Sequence, residues 1–503
     1  MPTSSIPTTV LSGRTLIRTD LETITVEGLK KDLRRVLPLH EYNAEQIMRL
    51  QEYMKGWHPA IQTRVKTTRT DVDNNVTVNY ARAMTREIVG YFLGKPIQYT
   101  HARGASRKAM ESFVRALDAE NKGLVDYEIA EDCSIAGVGY RGMFSETNPR
   151  NGTHLSLLRL DPLTTFVVYP SDPTKPPLYA VTYYQTQGEM TDAGVVTYYT
   201  VYTASQVYKF KSQGGLFGSP LGELELVGAP KPFSFGGHLP IVEYQNNMWR
   251  LGDWETEIAI MDALDAVTSD GVNDIQQAVN SVLVAMGMEL TDDMFANLSA
   301  QGFLNVANIP PGVNPVVEFI NQSMNADVGV AMREYLEATL RILVGVPDRK
   351  TRGGGGGDTG DAVFMRDGWQ DIDLVASSKE PHFIKAEREA LAVMLYILDT
   401  HREISNLIAQ DIKIHFNRNK TANLQSKAQS YQTLTSGNAP INPADALDMV
   451  GLTNNVADVI LRSESWAKKH AEQSMALAQA GKSDESDPNG DGASSAGDDE
   501  ATE

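Results

Sequence analysis

A glycine-rich stretch between two predicted helices is the first place in this sequence where chemistry is suggested. Residues 353–357 are five consecutive glycines, and Gly355, Gly357 and Gly360 satisfy the G-x-G-x-x-G spacing of phosphate-binding loops. A dinucleotide-binding loop of this kind follows a β-strand, whereas the pattern before these glycines is that of an amphipathic helix. Because a run of glycines supplies most of the match, the spacing alone is weak support for a nucleotide site.

The cations beside the glycines give the same stretch a second interpretation. A Walker loop ends in Gly-Lys-Ser/Thr, but Lys350 and Thr351 precede the glycines here. Five glycines favour a flexible linker. A third interpretation is a mobile loop that carries Arg349, Lys350 and Arg352 between two rigid helices.

The acidic C-terminal segment resembles a calcium-binding loop. Asp487, Asn489, Asp491 and Asp498 fall at ligand positions, but the last position normally holds a bidentate glutamate. The surrounding Gly, Ser, Pro and acidic residues favour a solvated, disordered tail over residues 481–503.

Other residue types offer no recognisable catalytic or metal-binding set. The nine histidines form no H-E-x-x-H motif, no G-x-S-x-G motif occurs, and the single cysteine, Cys133, excludes an intrachain disulfide. The sequence therefore predicts a protein that is not an enzyme and that needs no metal and no cofactor.

Composition excludes some partners and leaves others open. The 503 residues are 42% hydrophobic, enough for several packed domains, and no run of 18 apolar residues or signal-peptide pattern occurs. We therefore expect no membrane contact. The net charge of −19 argues against a protein that grips DNA, yet it suits one that touches DNA without holding it.

The order of helical and strand patterns predicts an α+β fold. A helix is expected from Glu41, capped by Asn43 and ending at Gly56, and another is expected to end at Gly94. Residues 155–250 alternate like antiparallel strands. Further helices are predicted at 253–279, at 327–345, over a long run from Ala362 to about Ala409 with a kink at Pro381, at 421–436 and at 443–478.

Two of these helices carry narrow apolar stripes. Helix 327–345 has Met332, Leu336, Leu340 and Leu343 at helical spacing, and helix 253–279 has a similar series that begins at Trp254. The two helices can pack as an antiparallel pair whose polar flanks meet other copies of the chain. From periodicity alone, an ordinary helical subdomain of a monomer is the favoured explanation.

Three segments resemble a known family, the portal proteins of SPP1-type siphophages. The Asn-rich helix that ends in Leu93-Gly94-Lys95-Pro96, the aromatic-Gly segment at 53–64, and the C-terminal helices joined by a Gly-Pro turn match the family in order. The glycine-rich loop before a long helix is a further shared feature. The resemblance covers about residues 30–480.

This resemblance implies a portal-type fold of several parts. The first are a flexible N-terminal arm (1–30), a mixed wing (31–250), a first stem helix (251–279), a clip module (280–325) and a second stem helix (326–345). They are followed by a tunnel loop (346–361), a long kinked tunnel helix with the wing return (362–420), a helical crown (421–480) and a disordered acidic tail (481–503).

The resemblance also implies the site residues. The DNA-channel loop would present Arg349, Lys350, Arg352, Gly353, Gly355 and Gly357. The stem would present Asp253, Glu257, Asp270, Asp274, Arg333 and Glu337. The clip would make contacts through Asp292, Asp293 and Phe295.

By the same resemblance, we expect a homo-oligomeric ring of about twelve subunits at one capsid vertex of the virion, assembled in the host cytoplasm. Its partners would be double-stranded DNA bound without sequence specificity, the terminase large subunit, a head-completion adaptor, and the major capsid and scaffolding proteins. The alternatives are a nucleotide-binding enzyme that uses the glycine-rich loop, and another virion or scaffold protein without a channel.

Overall fold

The structure is a computed structural model and divides into two compact units, Met1–Thr421 and Ala422–Glu503. The residues it describes are 13–65, 72–101, 107–146, 152–186, 195–214, 220–232, 235–279, 282–286, 316–320, 326–347, 369–405, 407–418, 424–436, 441–450 and 456–483.

The helices, in chain order, are α1 (Val26–Lys55), α2 (Pro59–Gln62), α3 (Tyr80–Phe92), α4 (Arg107–Ala119), α5 (Lys122–Ala136), α6 (Ile258–Val279), α7 (Ala326–Val344), α8 (Trp369–Thr400), α9 (Leu424–Ser436), α10 (Pro443–Val450) and α11 (Val456–Ser483).

The strands are β1 (Arg18–Thr19), β2 (Gln98–His101), β3 (Val138–Ser145), β4 (Leu155–Leu160), β5 (Thr165–Pro170), β6 (Tyr179–Gln185), β7 (Val196–Thr203), β8 (Gln206–Gln213), β9 (Glu225–Leu226), β10 (Lys231–Pro232), β11 (Ile241–Gln245), β12 (Val282–Met286), β13 (Val316–Ile320) and β14 (Ile412–His415). The mixed helix-and-sheet class predicted from the sequence is therefore confirmed.

Helix α1 is longer than the sequence predicts. It starts at Val26 rather than Glu41, because the Thr25 side chain caps the first turn by accepting a hydrogen bond from the Gly28 amide. Gly56 ends the helix in a left-handed conformation with φ of 90°. The prediction of an Asn43 cap is wrong, since Asn43 lies inside α1 and bonds the backbone of Thr15 instead.

The described part of the N-terminal arm is ordered, contrary to the prediction of a flexible segment over 1–30. Strand β1 pairs in parallel with β5, and Arg14 is buried in an ion pair with Glu255. Both contacts join residues that are far apart in sequence, so no local pattern reveals them.

Seven strands form the larger sheet, in the order β1-β5-β6-β7-β8-β10, with β9 also paired to β8. Buried and half-exposed residues alternate along β7, as expected for a strand with one face against a core. The N-terminal half of α1 covers that face through Leu29, Leu33, Val36 and Leu37.

A second core joins most of the remaining elements of the first unit. Helices α3, α5 and α8 pack with the sheet β11-β3-β4, and the strand pair β14-β2 closes one side. Trp254, just before α6, is completely buried in this core, and its indole N–H donates to Thr85 over 2.8 Å. This core holds the base of α6 and α7.

Helices α6 and α7 form a pair connected through the antiparallel strands β12 and β13. Val282 lies opposite Ile320 in that ladder, so the end of α6 is close to the start of α7. Because the two helices also pack against each other, they run antiparallel, as their stripes predict. A 3-10 turn, Glu255–Glu257, precedes α6, so the helix starts five residues later than predicted.

The described part of helix α8 begins at Trp369. The helix ends at Thr400, nine residues before the predicted end, and Pro381 lies inside it.

In the second unit, α9 packs on α10 and α10 packs on α11. Within the described residues, no helix is both long enough and apolar enough to cross a membrane.

Candidate functional site

Nine of the predicted site residues lie outside the described residues: Arg349, Lys350, Arg352, Gly353, Gly355 and Gly357 of the glycine-rich loop, and Asp292, Asp293 and Phe295 of the predicted clip. The calcium-like tail also lies outside them. The six predicted stem residues are described, and they do not form one cluster.

Asp253 belongs to the base of the helix pair and not to its exposed surface. Its side chain is only 6% exposed and is ion-paired with Lys379 of α8. It also accepts hydrogen bonds from Ser134 over 2.6 Å and from Asn246 over 2.8 Å. The prediction that Asp253 belongs to a helix is wrong, because the chain becomes helical only after it, and the carboxylate instead joins α5, α8 and the residue that follows β11.

The other three predicted residues around α6 differ in exposure. Glu257 is half-buried in the 3-10 turn, and Asp270 accepts a hydrogen bond from Arg64 over 2.8 Å. Asp274 is exposed one turn further along the helix. Asp270 and Asp274 are four residues apart and therefore lie on one face of α6, where Arg64 offsets the charge of Asp270.

Arg333 and Glu337 of α7 also have different surroundings. Arg333 is exposed, whereas Glu337 is half-buried and lies 3.7 Å from Arg341, four residues further along. Arg341 in turn donates to the Pro347 carbonyl over 3.1 Å. The Glu337–Arg341 pair therefore belongs to the junction where α7 ends.

Helix α7 carries two apolar faces instead of the single predicted stripe. Leu340 and Val344 are buried in the core of the first unit and Leu336 packs against it. The second face is exposed, with exposed fractions from 50% at Met332 to 75% at Ile342. Its members are Val328, Met332, Tyr335 and Ile342, spaced by four, three and seven residues. We call these four residues the α7 stripe.

The α7 stripe is unusual for a surface helix. Its members share one face about a third of a turn from the buried face. Every residue from Val328 to Tyr335 is exposed, so this half of α7 has little packing of its own. Helices of this length are marginal in water without tertiary packing, and exposed apolar side chains that share one helix face indicate an interaction site.

The sequence patterns did not indicate a buried charge cluster that holds α8. Glu387 of α8 accepts hydrogen bonds from Arg141 of β3, at 2.9 and 3.1 Å, and lies 2.8 Å from the ammonium of Lys122. Asp126 pairs with both cations. The side chains of these four residues are at most 4% exposed.

Two tyrosines complete the hydrogen bonding of this cluster. Tyr99 and Tyr244 each donate to Glu387 over 2.7 Å. The Arg141 guanidinium also lies 4.8 Å from the centre of the Tyr244 ring, within the range of a cation–π contact. The cluster therefore joins α5, β2, β3, β11 and α8 at one point.

The charged groups of this cluster shift one another's pKa values. Burial disfavours the Glu387 carboxylate, but Arg141 and Lys122 outweigh burial and hold the pKa of Glu387 below its ordinary value. Burial raises the pKa of Asp126 while Lys122 and Arg141 oppose the rise. Burial also disfavours the charged guanidinium, yet Glu387 and its neighbours raise the pKa of Arg141. Two cations thus balance two carboxylates.

The comparison with protein families decides what kind of protein carries this architecture. The family model "Phage portal protein, SPP1 Gp6-like" matches residues 33–472. The chain belongs to this family of phage portal proteins. The resemblance inferred from the sequence is therefore confirmed, over nearly the same span. It is a structural family of the virion, at the head-tail connection.

The remaining comparisons are with curated proteins and with solved structures. The search of curated proteins finds no match. Among solved structures, a chain from the virion of a native gene transfer agent particle is similar with 10% identity and a TM-score of 0.39. A chain from the neck of a native gene transfer agent particle, computed with C12 symmetry, has 11% identity and a TM-score of 0.40. Each match covers 74% of this chain and 89% of the other.

Proposed function

We propose that about twelve copies of this portal protein form a ring at one capsid vertex, and that double-stranded DNA enters and leaves through its channel. Membership of the portal family supports the role. The observation that supports a ring is the α7 stripe. The first half of α7 is exposed, and its apolar face is stabilised when a second copy covers it. A closed ring gives every copy the same covered face.

In this proposal, α6 and α7 form the stem, and residues 280–325 between them form the clip. The wing comprises 31–250 with the return segment that follows α8, the tunnel helix includes α8, and α9 to α11 form the crown. The terminase motor and then the head-completion adaptor would dock on the clip, while capsid and scaffolding proteins would contact the wing.

The channel would carry DNA without gripping it. Each phosphate neutralised by a fixed cation releases counterions and adds affinity, which slows translocation. A chain with net charge −19 avoids this, and the exposed carboxylate of Asp274 on α6 adds to the effect. The cations Arg349, Lys350 and Arg352 of the tunnel loop would guide the phosphate backbone, with no contacts that read the base sequence.

Replacing these three cations by alanine tests the guiding role. We expect a lower packaging yield and weaker retention of packaged DNA, because the backbone loses its mobile positive contacts. Yield is measured as nuclease-protected DNA in an in vitro packaging reaction. Normal yield together with normal retention would remove the tunnel-loop assignment but not the ring.

The ring itself is tested at the α7 stripe. Met332→Glu and Ile342→Glu place a charge where the next copy would bury an apolar side chain, so the ring should give way to smaller species in native mass spectrometry. Leu124→Glu is the matched control, since Leu124 is also an exposed apolar residue on a helix. The control should leave rings intact, as seen by negative-stain imaging of a central hole.

The same measurements separate the alternatives. A wild-type chain that stays a compact monomer at several salt concentrations contradicts the proposal. A monomer that binds ATP or NAD in a filter-binding assay would instead support a nucleotide-binding enzyme. An assembly without a central hole would support another structural protein of the virion.

A further inference from the structure

An extended segment lies along α6 and is held by side chains of the helix. The segment is residues 74–78, which we call the strap. The helix residues beneath it are Asp265, Ser269 and Asn273, which we call the ladder. The ladder residues are at most 1% exposed although all three are polar, so the strap covers them completely.

The hydrogen bonds between strap and ladder are regular. The amide of Asn74 donates to Asn273 over 2.8 Å, and the amide of Val76 donates to Ser269 over 2.9 Å. The amide of Val78 donates to Asp265 over 2.8 Å. In return, Ser269 and Asn273 each donate to the strap carbonyl opposite, over 3.3 Å.

The regularity follows from the matching repeats of two backbones. Four residues of an α-helix rise about 6 Å, and two residues of an extended strand rise about 6.7 Å. Helix side chains four apart therefore face every second amide of the strap. The ladder side chains thus accept hydrogen bonds from the strap amides as the backbone of a neighbouring β-strand would.

The outer side of the strap is tied as well. Gln62 of α2 donates to the Thr77 hydroxyl over 2.9 Å, and Asn75 donates to the Arg64 carbonyl over 3.4 Å. Arg64 also bonds Asp270 of α6. The strap is thus enclosed between α6 and the segment that follows α1.

This arrangement admits one register. A shift of α6 by one turn in one direction would bring Met261 opposite the Val78 amide, and a thioether is too weak an acceptor for a buried N–H. A shift in the other direction would separate Asp265 from His58, which are paired while both are fully buried. That shift would leave a carboxylate buried without its partner.

We propose that the strap and ladder fix the axial position of α6 relative to α1–α3, and thereby the height at which each copy presents its α7 stripe to the next. This inference rests on the proposed ring. Ser269, Asn273 and Asp265 act as positioning residues, because they contact the strap and not the neighbouring copy.

Ser269→Ala tests the inference in the full-length chain. The variant leaves the Val76 amide without its acceptor, so hydrogen exchange of Val76 and its strap neighbours should become about tenfold faster. Native mass spectrometry should show rings with a broader distribution of subunit numbers than wild type. Ser378→Ala is the matched control, because the Ser378 hydroxyl only bonds the Val375 carbonyl of its own helix.

Asn273→Asp is a second variant that keeps the acceptor oxygen, removes the donor to the Asn74 carbonyl and buries a new carboxylate. It should increase exchange at Asn74 more than Ser269→Ala increases it at Val76, because an unpaired buried charge costs more than a lost hydrogen bond. Unchanged exchange in Ser269→Ala would overturn the ladder, and faster exchange with an unchanged ring distribution would overturn its positioning role. If wild type forms no ring, the proposed function fails. The inference about presentation to a neighbour then falls with it, while the exchange data still decide the ladder.

Discussion

Glu387→Gln removes one charge from the buried cluster and turns one of its two acceptor oxygens into a donor. Oε1 of Glu387 accepts from Tyr99 and Oε2 accepts from Tyr244, and the single amide oxygen of glutamine replaces only one of them. What remains is two cations, Arg141 and Lys122, facing the single carboxylate of Asp126. The variant therefore combines an uncompensated buried charge with one lost acceptor.

The expected cost is large because solvent cannot screen the surplus charge. Breaking one partner of a buried ion pair destabilises proteins by about 3–5 kcal/mol. In a large domain each kcal/mol lowers the melting temperature by about 2 °C. We therefore expect Glu387→Gln to melt roughly 6–10 °C below wild type in a thermal unfolding experiment followed by circular dichroism.

Two further variants sharpen the measurement. Arg141→Met should be destabilising alone, but the double variant Arg141→Met/Glu387→Gln restores charge balance and should lose less than the two single losses together. Glu225→Gln is the control, because its pair with Lys211 is exposed on both sides. An exposed pair contributes little to stability, so this control should leave the melting temperature unchanged.

The pH dependence has a definite sign. The folded pKa of Glu387 lies below its ordinary value, so its contribution to stability is complete above the unfolded pKa of about 4.3. The contribution is lost as the pH falls from there toward the folded pKa. The melting difference between wild type and Glu387→Gln should be constant above about pH 5 and shrink below it. Glu387 also raises the pKa of Asp126, so the two carboxyl groups titrate as a coupled pair and the melting difference reports that pair.

Our reasoning about buried charge would be refuted by either of two results. One is a melting temperature of Glu387→Gln that equals that of the surface control. The other is a difference from wild type that grows as the pH falls, because that sign requires a raised and not a lowered pKa.

The remaining predictions concern single backbone positions and are checked by urea unfolding. Thr25→Ala removes the cap that accepts from Gly28 over 3.0 Å and should cost about 1 kcal/mol, whereas an unchanged midpoint would show that water replaces the cap. Gly345→Ala should cost at least about 1–2 kcal/mol, since φ is +74° and a Cβ would lie 2.6 Å from Val375. Gly271→Ala should have the opposite effect, because no atom lies within 4 Å of a Cβ added there. The free energy of unfolding should rise by about 0.5–1 kcal/mol, since the position lies in a helix interior. Destabilisation there would indicate a contact with a neighbouring copy.

Local patterns were enough to predict the mixed fold, the antiparallel helix pair and the family. The strands β4 to β11 lie within the predicted 155–250 region, and α7 lies within one residue of its predicted bounds. Such features depend on residues close in sequence, which periodicity and turn residues record directly. The early start of α1 was missed because Pro38, which lies inside the helix, is ordinarily a helix breaker.

The buried cluster and the ladder could not be predicted in the same way. Lys122, Asp126, Arg141 and Glu387 come from three elements spread over more than half of the chain. Each is an ordinary surface residue by type. Asn74 looked like part of an Asn-rich helix start, and only the position of α6 shows that its amide meets Asn273.

Sequence alone determined that α7 has apolar residues at helical spacing, because that depends only on the repeat of the helix. Tertiary structure decided that these residues divide between two faces, with Leu340 in the core and Met332 exposed. The physical reason is that periodicity shows which side chains share a face, whereas burial depends on which neighbour covers that face, and the neighbours come from distant parts of the chain.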